Sequence, residues 1–306
     1  MEQESQIFRP IGMDNLNYQK VMVEPTCQIA RLDTGNGRAY YDVAAEDESL
    51  RHYFYGVTSI LDGALAKGIG FSKWLGDSPS YSHAMDYAME KADAGTLVHA
   101  LVDQLNFGGT IDTEDGWYND RKDKKVTITD TNKAMVEGYI KFYQENQVEM
   151  VASEITLYNP KRFKNRHREG YRYPFAGTAD IVCRMKDKKG NLRTAMVDVK
   201  TGKEYAKSHE LQLTAYKILY DSLHGKEHGV IDDIYCLYLK RTGNYKLVKY
   251  HYQPEVWYMV VDLFHYMVSN KAGKMPVVKE REAKPRYYTL ENQEQEENGN
   301  NDTTEA

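Results

Sequence analysis

Asp198 and Lys200 stand two residues apart in AMVDVKTGK (195–203), an otherwise apolar run with the character of a strand. Two charges in such a run are costly unless each has a partner. A second apolar run, FAGTADIVCRM (175–185), lies upstream, and the two are joined by Asp187-Lys188-Lys189-Gly190-Asn191, a turn sequence. A hairpin turning at Lys189 sets Asp180 opposite Asp198, Ile181 opposite Val197 and Cys183 opposite Ala195. Alternation then gives one face Ile181, Cys183, Met185, Ala195, Val197 and Val199, which is a core face. The other face carries Asp180, Asp198 and Lys200. Two carboxylates directly opposite on one face repel. Protonation of one acid, neutralisation by Lys200, or a divalent cation shared by both would each relieve that repulsion. A hard cation prefers oxygen ligands and often joins carboxylates to a substrate phosphate. A surface hairpin with a simple Asp–Lys pair is the alternative that this spacing alone leaves open.

The surrounding pattern supplies elements to position these residues. The first 60 residues read as strand-rich, with a hairpin around Gly35-Asn36-Gly37 and an apolar, β-branched run FYGVTSIL (54–61). Helical spacing runs from about Ser72 to Leu105, where Val98, Leu101, Val102 and Leu105 share a face with His99 at its edge. Residues 112–130 are polar and read as a loop, and a helix follows near 131–146. Strands are expected at 149–159, 175–185, 192–200, 232–240 and 245–252, with helices at 205–223 and after Pro254. In the last helix Val256, Met259, Val260, Leu263, Phe264 and Met267 form an apolar stripe. The order is helix, three strands, helix, two strands, helix, so the fold class is α/β (α+β).

Composition bounds the rest. The 306 residues are 41% hydrophobic and 28% charged, ordinary for a globular chain. No apolar run approaches the roughly 18 residues of a membrane span, and MEQESQIFRP resembles neither a secretory signal nor a transit peptide. Three scattered cysteines, Cys27, Cys183 and Cys236, argue against a disulfide framework or a four-cysteine iron–sulfur cluster and fit a reducing cytoplasm. No phosphate-binding GxxxxGK[ST] loop is present, so no bound nucleotide is expected. The net charge of −5 is set by the tail 287–306, whose last 18 residues hold six acids and no base; this tail reads as disordered. Basic clusters stand at 161–172, with Arg162, Lys164, Arg166 and Arg168, and between Lys271 and Arg286. Such clusters suit contact with phosphates, and equally suit a solvated loop.

Taken together, GTAD (177–180), VDVKTG (197–202) and LQLTAY (211–216), with GTLVH (95–99) upstream, resemble the PD-(D/E)xK nuclease superfamily in its RecB-like exonuclease branch. That branch takes in phage exonucleases and the mitochondrial genome maintenance exonuclease. The resemblance covers roughly 55–250 and is clearest over 95–216. It implies a restriction-endonuclease-like core, a central mixed sheet flanked by helices, over 61–286, with 1–60 as an N-terminal extension. It implies Mg²⁺ (Mn²⁺ as substitute) on Asp180, Asp198 and His99, helped by the Val199 carbonyl, with Lys200 positioning or deprotonating the attacking water. Gln212 and Tyr216 match the QxxxY element that helps hold DNA and the site. Glu154, on the preceding strand, reads as an outer carboxylate or DNA-proximal group, or as a structural ion pair. The name-giving Pro-Asp is Ala179-Asp180 here, and the second acid is Asp198 rather than a glutamate. The implied activity is exonucleolytic hydrolysis of DNA in recombination, repair or replication, with protein partners from those processes. A structure-selective endonuclease and a non-cleaving DNA-binding module on the same fold are the alternatives.

Overall fold

The computed structural model describes residues 7–8, 29–34, 37–42, 53–66, 68–112, 116–119, 124–159, 164–165, 168–171, 175–202, 204 and 207–270. The acidic tail, the cluster from Lys271 to Arg286, Arg162 and Arg166 lie outside these residues. In chain order the elements are β1 (Ile7–Phe8), β2 (Ile29–Thr34), β3 (Gly37–Asp42), β4 (Tyr53–Gly56), α1 (Val57–Ala64), α2 (Ile69–Asp77) and α3 (Tyr81–Asn106). Then come β5 (Ile111–Asp112), β6 (Trp117–Asn119), β7 (Lys124–Val126), α4 (Asp130–Glu145), β8 (Glu149–Tyr158), β9 (Lys164–Asn165) and β10 (Arg168–Tyr171). The remainder is β11 (Phe175–Lys186), β12 (Leu192–Lys200), α5 (Lys207–Leu223), α6 (Gly225–His228), β13 (Asp233–Leu239), β14 (Tyr245–Tyr250) and α7 (Pro254–Asn270).

A mixed sheet of eight strands, in the order β14-β13-β12-β11-β4-β3-β2 with β8 also on β11, is the centre of the molecule. Helices cover both faces, as the sequence predicts. One core packs α1, α5 and α7 on the sheet through Ile60, Leu219, Trp257 and Phe264. The other packs α3 and α4 through Leu101, Leu105, Tyr139 and Phe142. The expected core face of the hairpin, Ile181 to Val199, lies in this second core. The opposite face is not left open to charge alone, since Val182 and Met196 lie in the first core.

Local chemistry explains the register. Asp187 Oδ1 accepts the N–H groups of Lys189 (2.8 Å) and Asn191 (2.9 Å), and Gly190 takes φ +83°. That turn fixes the antiparallel ladder from Lys186↔Leu192 to Ile181↔Val197, in the register the sequence predicts. Helix α4 begins with a capping box between Thr129 and Asn132, and Ser80 caps α3 by accepting His83 N–H.

Four expectations are corrected. FYGVTSIL is a strand only to Gly56, because Val57, Ile60 and Leu61 then follow helical spacing and bury that face as α1. The helical stretch from Ser72 is two helices, α2 and α3, parted at Ser78-Pro79-Ser80, where proline disfavours helix in the residue before it. Helix α7 turns Trp257, Val260, Val261 and Phe264 inward, while Val256, Met259, Leu263 and Met267 are exposed. That helix is apolar over most of its circumference, so composition alone does not choose its buried face. The polar stretch 112–130 also holds a small hairpin of β6 and β7.

Candidate active site

Strand β11 is the hub. Ala176 pairs with both Gly56 of β4 and Tyr158 of β8, and Ile181 with both Val197 of β12 and Ser153 of β8. Strands β4 and β12 therefore share the edge of β11 opposite β8. Between Ala176 and Ile181 no ladder pairing forms on that edge among the described residues. The sheet splits there, and Asp180 lies in the split.

Strand alternation slips at the same place. Phe175 and Ala179 belong to the core beneath α5 and α7, yet Ile181 and Cys183, of the same parity, belong to the core beneath α3 and α4. On β8, Ile155 and Leu157 face the first core, while Ser153 bonds to α3. The slips fall at Asp180 and Glu154, which lie between the paired positions Ala179↔Ile155 and Ile181↔Ser153. Asp180 is thus not simply opposite Asp198 on one face. Its Oδ2 accepts the Val199 N–H at 2.7 Å, just beyond the end of the β11–β12 ladder.

His99 reaches the split from α3. Its Nδ1 lies 3.5 Å from Asp180 Oδ1 and 3.9 Å from Glu154 Oε1. One ligand atom from each of His99, Glu154 and Asp180 lies within 4.8 Å of the others. Two ligands at about 2.0–2.6 Å from one ion stand at most about 5 Å apart, so this donor set fits a divalent cation. Two hard carboxylates beside one imidazole are also the right chemistry for such an ion.

Asp198, Lys200, Gln212 and Tyr216 form the neighbouring group. Lys200 Nζ lies 2.5 Å from Asp198 Oδ2 and donates to Gln212 Oε1 at 3.1 Å. Gln212 Nε2 lies 3.1 Å from both Asp198 Oδ1 and Tyr216 Oη. Gln212 and Tyr216 sit one turn apart on α5, so the helix presents both to the end of β12. Asp198 is 2% exposed, and Cys236, beside it in the parallel β12–β13 register, directs its thiol at Oδ2 from 3.9 Å. Nothing in the spacing of the cysteines marks Cys236 as a neighbour of this acid.

The charges are strongly coupled. Burial pushes the Asp198 carboxyl up, and the charge on Asp180 adds to this against the pull of Lys200. Burial acts the same way on Asp180, but His99, Lys200 and the Val199 N–H outweigh it and hold that carboxyl below the usual range. Burial opposes charge on His99, yet Asp180 and then Glu154 prevail and raise it to about 9. Burial also opposes charge on Lys200, and Asp198 and Asp180 prevail, keeping it an ammonium.

The Gly177 of GTAD has a steric reason. A Cβ there would lie 2.4 Å from Tyr216 Cε1 and 3.3 Å from Val57 Cγ2. Gly177→Ala should therefore cost about 1–3 kcal/mol of stability, read as a lower urea midpoint, and displace the Tyr216–Gln212 contact. An unchanged midpoint would mean that Tyr216 yields freely.

Of the basic residues expected to meet DNA, Lys164 and Arg168 fall in the two-strand hairpin of β9 and β10. Glu154 lies in the same donor group as Asp180, its Oε1 3.9 Å from His99 Nδ1.

A second histidine lies nearby. His209, in the first turn of α5, bonds through Nδ1 to Tyr238 Oη at 2.9 Å, and Tyr238 Oη to Tyr250 Oη at 2.8 Å. Burial, and then Lys200, lowers His209 to about 4, while its unfolded value is about 6.5. The unfolded chain thus binds this proton first, and His209 withdraws stability as pH falls from about 6.5 to 4. His209→Gln should flatten the decline of urea midpoint across that window in EDTA; an unaltered slope would contradict this.

A model of the PD-(D/E)XK nuclease superfamily matches residues 77–297. The chain belongs to that superfamily. No curated protein matches it. Among solved structures, the crystal structure of SSO0001 is similar over 44% of this chain, at 10% identity and a TM-score of 0.29. The chain spans 58% of that protein's length. Among the described residues no helix is long and apolar enough to cross a membrane.

Proposed function

We propose that this chain is a Mg²⁺-dependent DNA exonuclease of the RecB-like branch, acting in the cytoplasm in recombination, repair or replication. The observation that carries the reading is the convergence of His99, Glu154 and Asp180 in the sheet split, beside the Asp198–Lys200–Gln212 group. Asp180, Asp198 and His99 are the residues that would hold the ion, with the Val199 carbonyl as a further donor. Once bound, Mg²⁺ or Mn²⁺ would lower the pKa of a water and polarise the scissile phosphate.

The chain's own residues do the rest. Lys200, kept as an ammonium between two acids, is suited to donate to a phosphate oxygen and offset charge as it develops. That state favours the positioning role over removal of a proton from water. Gln212 fixes Lys200 and Asp198 relative to α5, and Tyr216 fixes Gln212. Basic residues Arg162, Lys164, Arg166 and Arg168 would guide the strand through its phosphates.

Digestion of labelled linear DNA, single- and double-stranded, with Mg²⁺ or EDTA tests the reading. Metal-dependent release of short products is expected, with circular single strands spared. Cutting of circles would favour a structure-selective endonuclease, and no metal-dependent cleavage of any substrate would favour a non-cleaving DNA-binding module.

A further inference from the structure

Among the described residues two non-glycine positions have positive φ, Gln147 at +48° and Glu154 at +47°. Gln147 follows the end of α4, where a left-handed residue is ordinary. Glu154 lies in the middle of β8, where such a backbone is rare for a residue with a side chain. Something must hold it there.

The residue before it is tied down twice. Ser153 is buried, donates its hydroxyl to Asp103 Oδ1 at 2.7 Å and accepts from Asn106 Nδ2 at 2.9 Å. Asn106 Oδ1 in turn accepts the Tyr139 hydroxyl of α4. Asp103 is one turn along α3 from His99, and Asn106 nearly one turn further. The helix that delivers the imidazole therefore also grips β8 one residue before Glu154. All four polar groups lie between α3, α4 and β8, away from the Lys200 side of the sheet.

We infer that Ser153, gripped by Asp103 and Asn106, is a positioning residue that holds Glu154 in its left-handed backbone as a direct metal ligand beside His99 and Asp180. The inference rests on the metal centre proposed above. The grip makes the slip in β8 coincide with the slip in β11, so two opposed carboxylates converge where simple alternation would separate them from the imidazole. Partners that orient ligands typically carry about 10–100-fold of metal affinity.

The test is a double-mutant cycle read by calorimetric Mn²⁺ titration of the full chain, with circular dichroism to verify folding. Ser153→Ala should weaken Mn²⁺ binding by about tenfold and Glu154→Gln by at least as much; the double variant should bind no more weakly than Glu154→Gln alone. Asp103→Asn, which keeps an acceptor for the Ser153 hydroxyl, should stay within about threefold of the parent, whereas Asp103→Ala should not. Should Ser153→Ala fail to fold, Tyr139→Phe replaces it in the same cycle, with a smaller loss that again disappears in the Glu154→Gln background. Parent-like binding by the folded Ser153→Ala, or an equal loss with and without Glu154, overturns the inference. So does unchanged binding by Glu154→Gln when Asp180→Asn has lost the ion. If the parent itself takes up no Mn²⁺, or Asp180→Asn binds as the parent does, it is the metal centre that fails.

Discussion

Lys200→Ala should lower single-turnover cleavage of linear DNA by about 10²–10⁴-fold while DNA affinity stays within a few-fold of the parent. Lys200 is one cation at the end of β12, whereas DNA affinity sums contacts along many phosphates. Its ammonium is held in place by Asp198 and by Gln212 from α5, so its position is set before substrate arrives. Preset charge of this kind acts on the transition state more than on the bound ground state. Truncation also leaves Asp198 buried without its cation, and burial already favours that carboxyl's protonated form. A lower melting temperature is therefore expected alongside the lost rate. Lys200→Arg should recover little, because a planar guanidinium does not fit between the Asp198 carboxylate and the Gln212 amide as a compact ammonium does. Cleavage at the parent rate by folded Lys200→Ala would show that Lys200 has no part in the reaction.

Asp180→Asn should reduce Mn²⁺ affinity by more than about 100-fold and leave cleavage at background. The substitution keeps an oxygen that can accept the Val199 N–H, so the β11–β12 junction should survive. What is lost is the charge that holds His99 near Glu154 and that would meet the ion. In the metal-free protein the melting temperature in EDTA should also fall, because His99, Lys200 and the Val199 N–H together stabilise the charge that the substitution removes. Asp198→Asn should likewise lose metal and activity, and with a larger cost in stability, because it strips Lys200 of its closest counter-charge. Unchanged calorimetric titrations for both variants would remove these two acids from the metal centre.

The sheet and its helices were legible because their causes are local. The turn at Asp187–Asn191 dictates the hairpin register, and the apolar periods of α3, α4 and α5 announce their buried faces. Spacing pairs Asp198 with Lys200 on a strand and Gln212 with Tyr216 on a helix, and the resemblance to the QxxxY element implied that the two pairs meet. The geometry of Asp180 was not legible. Simple alternation sets it opposite Asp198, but the slip at Asp180 and Glu154 depends on where β4, β8 and β12 compete for the edges of β11. That competition joins segments far apart in the chain, and no single stretch encodes it. For the same reason the tie between Ser153 and Asp103, 50 positions apart, leaves no mark in either stretch of sequence. In α7 the signal was overabundant, with apolar residues on faces that are buried and on faces that are not.

A crystal structure of the protein soaked in Mn²⁺, with anomalous scattering to locate the ion, tests the central claim most directly. The expected result is an ion in the split between β11 and β12, touching carboxylate oxygens of Asp180 and Asp198 and a ring nitrogen of His99. Anomalous density that is absent from that split, or an ion that lies against none of these side chains, would contradict the account.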